Sequence, residues 1–315
     1  MPVKLLNSKS YEEVRVWMHR NARPLELAIW KYTFEKGSKE EVLSELAFYQ
    51  NSDGGFGNAL EADNWNSESS PYTTLFAINI LKLINFMDIK HPIIQGIFKF
   101  LESGKYFGEC GWFFSIPSNN EYPHAPWRTY DGKANETESI GVTAELASFI
   151  MKFFDKNTEL YKRALAVSQR IIENLKTSTN HGDMGIEGYC VLLDTIKQIN
   201  LENKLDYEFL LEFVKNLVFT SIERDTSKWS FYGVRPSNYI TSPDNIFYKD
   251  NKDIVQKELD YLIETRAKND VWGITWSWFE NNEKYAKEFA ISENWWKGFK
   301  AIEKMTFLRN FGRLT

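Results

Sequence analysis

The chain has 315 residues, with 38 basic against 43 acidic side chains and a formal net charge of −5. No Lys/Arg run concentrates the charge that a nucleic-acid backbone requires, no stretch reaches the ~18 apolar residues of a membrane span, and MPVKLLNSKSYEE lacks the apolar centre of a signal peptide. A cytoplasmic location is therefore expected, and Cys110 and Cys190 are too few for a disulfide framework and read as free thiols.

Helical periodicity dominates from the start. Residues 11–35 form a helical stretch broken near Pro24 and ended by Gly37, followed by residues 39–50, and Ser10 with Glu13 and Ser38 with Glu41 read as capping boxes. Residues 72–84 are apolar almost all round, the pattern of a helix covered on nearly every side, with Ser70-Pro71 as its N-cap and first turn. Residues 92–102 carry Ile94, Ile97, Phe98 and Leu101 on one stripe, with Gln95, Lys99 and Glu102 opposite. The alternation recurs at 140–154 (buried) and 159–176 (one stripe), and again at 186–199 and 207–219. A last pair combines 252–265 outside with 293–309 inside. Alternating buried and amphipathic helices predict an all-α chain, an α/α toroid of five to six helical hairpins in two concentric layers, as one domain over 1–315.

The connections are unequal. Those at 51–70, 104–137, 223–251 and 267–292 are far longer than the ~12–15 residues above which loops are usually functional. They hold seven of the 11 tryptophans, Trp65, Trp112, Trp127, Trp229, Trp272, Trp276 and Trp278. The expectation is an aromatic funnel that grips a small molecule.

The most specific string is Tyr49-Gln-Asn-Ser-Asp-Gly-Gly-Phe-Gly57, followed by Ser70-Pro-Tyr-Thr-Thr74, with a weaker copy at Glu109-Cys-Gly-Trp112. Its glycines permit tight turns at a helix exit, and Gly-Gly-Phe/Trp reads first as a device that locks neighbouring hairpins. These residues resemble the prenyltransferase and squalene-oxidase repeat of the terpenoid cyclase and protein prenyltransferase superfamily. Gly54 to Asp63 and Ala125-Pro126-Trp127 are also similar to segments of a bacterial group related to it. The resemblance implies an α/α toroid and a family that handles isoprenoids. The Asp-x-Asp-Asp and Asp-Asp-x-x-Asp strings of its enzymes are absent, as is a zinc set of Asp, Cys and His, so no metal and no cofactor is expected and the reaction is left open.

Three clusters carry candidate chemistry. Glu61 and Asp63, beside Trp65, can divide acid and base roles because mutual repulsion separates their proton affinities; a turn cap and a basic neighbour would account for them equally. In Tyr122-Pro-His-Ala-Pro-Trp-Arg-Thr-Tyr-Asp131, His124 and Asp131 are acid–base candidates, and Trp127, Arg128 and Tyr130 are binding candidates, against a loop pinned by two prolines. Asp183 and Glu187 lie one turn apart after His181 and are pocket candidates, although a helix dipole favours such acids unaided. Trp112, Trp229, Trp272 and Trp276 complete the expected binding surface. The expected function is an enzyme of the prenyltransferase-like kind acting on an apolar or ring-containing ligand, with a carbohydrate-active hydrolase or lyase and a non-catalytic binding toroid as the alternatives.

Overall fold

The computed structural model describes residues 3–315, and these form twelve α-helices and a single two-stranded antiparallel ladder. In chain order they are α1 (Ser8–Asn21), α2 (Pro24–Phe34), α3 (Lys39–Ala47), α4 (Pro71–Leu83), α5 (Pro92–Glu102), β1 (Phe107–Gly108), β2 (Gly111–Trp112), α6 (Ala134–Phe153), α7 (Glu159–Asn174), α8 (Gly185–Gln198), α9 (Tyr207–Ser221), α10 (Tyr248–Thr265), α11 (Asn281–Lys284) and α12 (Ala286–Asn310). Among the described residues no helix is long and apolar enough to cross a membrane. The chain divides into two compact units, the first made of residues up to Leu46 and from Val218 on, the second of Ala47–Leu217.

In the first unit the two ends of the chain meet. α12 packs against α1, α2 and α10, and Leu6 bridges Leu314 in parallel. Arg313, 3% exposed, fixes that junction through Lys4 O at 2.7 Å, Asp260 Oδ1 at 2.8 Å and Gln256 Oε1 at 2.6 Å. α1 starts three residues earlier than its Ser10 signal indicates, because Asn7 supplies the cap and its Oδ1 accepts from Ser10 N at 2.9 Å. Ser38 does accept from Glu41 N at 3.2 Å, as a capping residue should.

In the second unit α6 is the hub, packed on α4, α7 and α8. α6 and α8 pack closely where their glycines meet: a Cβ on Gly188 would lie 2.8 Å from the Gly141 Cα. α4 is buried on most faces, from Thr73 and Thr74 to Leu81, whereas α5 buries Ile93, Ile94, Ile97, Phe100 and Leu101. α6 begins six residues before the apolar pattern does. Two polar residues of its first turns, Asn135 and Ser139, are buried; Asn135 Oδ1 accepts from Phe114 N and Ser115 N at 2.9 and 3.0 Å, and Asp131 Oδ1 accepts from Ala134 N at 2.8 Å.

The repeat string is a locking device in both copies. Gln50 Nε2 donates to Gly54 O at 2.9 Å and to Ile93 O in α5 at 3.0 Å, and Asp53 Oδ1 accepts from Gly55 N and from Ser69 Oγ. Phe56 and Trp112 are fully buried. Each donates its backbone N–H to a threonine hydroxyl on the next buried helix, Phe56 to Thr74 in α4 at 3.1 Å and Trp112 to Thr143 in α6 at 2.9 Å. Each ring anchors one hairpin to the next, and truncating such a ring to alanine typically costs about 3–5 kcal/mol.

Candidate functional site

The second unit joins two loops that are distant in sequence. Asn58 and Ala59 take positive φ (57° and 58°), a strained turn for a non-glycine pair, and send Leu60 into the core with Glu61 behind it. The next residues lace onto the loop before α6. Trp65 N donates to Pro123 O and Ala125 N to Asp63 O, both at 2.9 Å, and Asn64 bridges His124. Side-chain amides lock the seam: Asn64 and Asn66 both donate to Asn119 Oδ1 at 3.1 and 2.9 Å, and Asn119 Nδ2 donates to Arg128 O at 2.9 Å. All three asparagines are buried, so each must spend its hydrogen-bonding capacity inside the protein.

This seam sets Arg128 against Glu61. Arg128 Nη2 donates to Glu61 Oε1 at 3.0 Å, with 4% and 1% of the two residues exposed. The guanidinium lies 3.6 Å from the centroid of the Tyr72 ring and 4.4 Å from that of Phe114, so two aromatic groups replace part of its hydration. Three polar atoms of the pair, Glu61 Oε2 and Arg128 Nε and Nη1, are buried without a hydrogen-bond partner. An unmade bond at a charged buried group costs about 1–3 kcal/mol or more.

Burial pushes the Glu61 carboxyl up to about 7; the Arg128 charge opposes the shift and Asp63 adds to it. Burial works against the Arg128 charge, yet Glu61, Tyr72 and Asp63 hold it protonated, and burial raises the Tyr72 hydroxyl. Glu138 in α6 is raised by burial as well, while Arg128 and the Asp183 N–H, which reaches Glu138 Oε2 at 2.9 Å, draw it down. Glu61 is therefore a carboxyl that exchanges protons near neutrality, the property required of a general acid or base. Because its folded affinity for a proton exceeds the unfolded one, its contribution to stability is complete below about pH 4.5 and is lost as pH rises through about 7. Urea melts between these limits should show Glu61→Gln shedding a pH-dependent loss on the order of 3 kcal/mol relative to the parent. An unchanged slope would remove Glu61 as the group responsible.

The other sequence candidates divide. Trp65 and Trp127 are half-buried in the laced loops. His124 is a tie, its Nδ1 2.6 Å from Tyr122 O and its Nε2 3.1 Å from Thr129 Oγ1. Asp131 is exposed and caps α6, and Tyr130 pairs through its backbone with the Asn120 amide. Asp183 is exposed at the start of α8, and Glu187 is half-buried one turn on. Trp112 is core, edge-on to Phe107 at 4.7 Å. Trp229 and Trp272 are buried and Trp276 is half-buried in the first unit, as is the fully buried Trp278. Much of the loop tryptophan therefore packs the protein, because a long loop with no regular ladder needs large side chains to hold it down. Tyr72, Phe114, Asn119 and Glu138 are site residues that the sequence reading passed over. Among the described residues no three His, Cys, Asp or Glu side chains are grouped to hold a metal ion.

Compared with known proteins, the chain matches no family model, no curated protein and no solved structure.

Proposed function

We propose that the second unit carries a small-molecule site centred on Glu61 and Arg128, and that the protein is an enzyme of the terpenoid-cyclase-like α/α toroid kind. The observation that carries this reading is the trio of buried, unpartnered atoms on one ion pair. Glu61 is the proton-transferring group, and Arg128 binds an anionic or carbonyl oxygen of the ligand. Tyr72 and Phe114, with Trp65 and Trp127 near the seam, supply the surroundings of an apolar or ring-containing body. The toroid reading is supported by the order in which α4, α6 and α8 pack, with α7 beside α6, and by the meeting of α1 and α2 with α12.

A second reading has its own support. The asparagine seam and the doubly held His124 enclose the pair so fully that it serves equally as a bolt in a non-catalytic binding protein. The carbohydrate-active reading rests on Glu61 and Asp63 together and loses the buried Trp112, Trp229 and Trp272 as sugar platforms.

Thermal-shift screening separates the three. Prenyl diphosphates should raise the melting temperature of the parent by a few degrees, and of Arg128→Lys by much less. A response to oligosaccharides instead favours the hydrolase or lyase, and a response to neither class leaves the binding protein ahead.

A further inference from the structure

The first unit contains a closed loop that is built unlike a spacer. Residues 223–234 leave and rejoin the fold at one point, where Glu223 N donates to Val234 O at 3.0 Å. Trp229 fills the loop from inside. It is buried, its Nε1 donates to Glu223 O at 2.9 Å, its ring stands edge-on to Tyr261 of α10 at 5.3 Å, and its carbonyl oxygen accepts from Arg235 Nη2. Asp225 Oδ1 stiffens the first turn by accepting from Ser227 N at 3.0 Å and from Ser227 Oγ at 2.7 Å. Compact loops closed at the base and packed by their own side chains are frequently functional.

This loop borders a cavity of about 170 Å³ lined by Glu223, Lys228, Trp229, Phe231, Tyr232 and Arg235. The volume sets the size of a guest: a cavity of ~150 Å³ accepts benzene, so there is room for one six-membered ring with a small substituent. The walls set the kind of ring. Phe231 and Tyr232 are each 70% exposed, and the Tyr232 ring stands edge-on to Trp276 at 6.4 Å. Two adjacent large rings left in water beside a cavity mark a binding surface. A sugar needs donors and acceptors around its whole rim, and the indole N–H of Trp229 is already spent on Glu223 O.

The charges set the substituent. Two cations, Lys228 and Arg235, and one anion, Glu223, line the cavity, and Lys228 pairs with Glu223 at 3.7 Å. Arg235 has no such partner. Among the described residues no carboxylate lies within ion-pair distance of it, and its Nε and Nη1 make no hydrogen bond. Glu258, the buried carboxyl that the Arg235 charge reaches, is engaged by Ser237 N at 2.8 Å and Ser237 Oγ at 2.6 Å. The lining thus holds one cation in excess, and that cation is a planar guanidinium, whose N–H donors match a carboxylate.

We propose that this cavity binds a small aromatic monocarboxylate, a single six-membered ring bearing one carboxylate, with the ring against Phe231 and Tyr232 and the carboxylate on Arg235. Lys228 adds positive charge from the rim.

The test is a ligand-observed NMR titration of the native chain with sodium benzoate, with benzamide and sodium glucuronate as comparisons. Benzoate should bind with a Kd on the order of 1 mM, the range open to a ligand of so few atoms, and the other two at least about tenfold more weakly. Arg235→Gln should weaken benzoate at least about tenfold. Because that change also removes the bond to Trp229 O, Phe231→Ser, at a side chain standing in water, gives an independent reading: a loss of about threefold or more at an unchanged melting temperature. Glu223→Gln should tighten binding about two- to threefold by removing the one negative charge of the lining. Equal affinity for benzamide overturns the carboxylate, and equal or tighter binding of glucuronate overturns the aromatic class. No saturable binding of benzoate up to about 10 mM, or an affinity untouched by both Arg235→Gln and Phe231→Ser, overturns the site. A loss with Arg128→Lys in place of Arg235→Gln puts the ligand on the ion pair of the second unit and overturns it too.

Discussion

Replacing Arg128 by methionine is expected to destabilise the protein by about 3–5 kcal/mol near pH 8 and by distinctly less near pH 5. The asymmetry follows from Glu61. Its carboxyl is 1% exposed and its Oε1 has the Arg128 Nη2 at 3.0 Å, so removing the cation leaves a buried carboxylate that must either protonate or stay uncompensated. Below its folded midpoint, which lies about 7 even with the cation present, it protonates readily and the loss shrinks to packing and the aromatic contacts of the guanidinium with Tyr72 and Phe114. Glu61→Gln alone should cost only about 1–2 kcal/mol, because the amide oxygen still accepts from Arg128. The double variant should then cost less than the two losses added, since each single change strands the other partner. Urea titrations of the four proteins at both pH values give the coupling directly. A loss under about 1 kcal/mol for Arg128→Met at every pH would mean that the pair is not sealed from water, and the site would lose its claim to a perturbed acid.

The contrast between what was legible and what was not follows from how each signal is encoded. Helices with one wet face, such as α5 and α7, announce themselves because water on one side and protein on the other impose a 3.6-residue period. The first turns of α6 do not, since Asn135 and Ser139 are polar and buried at once, each satisfied by the backbone of Phe114. Glu61 and Arg128 could be chosen as candidates one at a time from unusual local chemistry, but their 67-residue separation hid the bond between them. Tyr72 was concealed by its company, one ring among the apolar residues of α4, and Asn119 by the ordinariness of an asparagine in a loop. The tryptophans are harder to read. Trp112 and Trp229 are both buried, yet Trp229 also lines a small cavity, and only coordinates separate an indole that holds a loop down from one that borders open space.

The repeat glycines give the sharpest expectation about stability. Gly54 has φ +92°, and a Cβ there would stand 2.1 Å from the Gly96 carbonyl oxygen of α5. Gly111 has φ +94°, and its Cβ would stand 2.1 Å from the hydroxyl oxygen of Thr143, the group that accepts the Trp112 N–H. Alanine at either site therefore meets two penalties together: a backbone conformation that costs an L-residue roughly 1–2 kcal/mol, and an overlap that only a shift of the neighbour can relieve. At Gly54 the obstructing atom is helix backbone, so relief means moving α5 away from the turn and stretching both Gln50 hydrogen bonds. Gly54→Ala is expected to cost more than about 3 kcal/mol. Gly111→Ala should cost somewhat less if Thr143 can rotate, at the expense of the Trp112 anchor. Gly132 separates the two penalties: its φ is +77° but nothing lies within 4 Å, so alanine there should cost about 1 kcal/mol. Gly273, with neither constraint, should change by less than about 0.5 kcal/mol. Thermal and urea melts of the four variants rank them, and a Gly54→Ala protein no less stable than Gly132→Ala would show that the first repeat does not clamp α5.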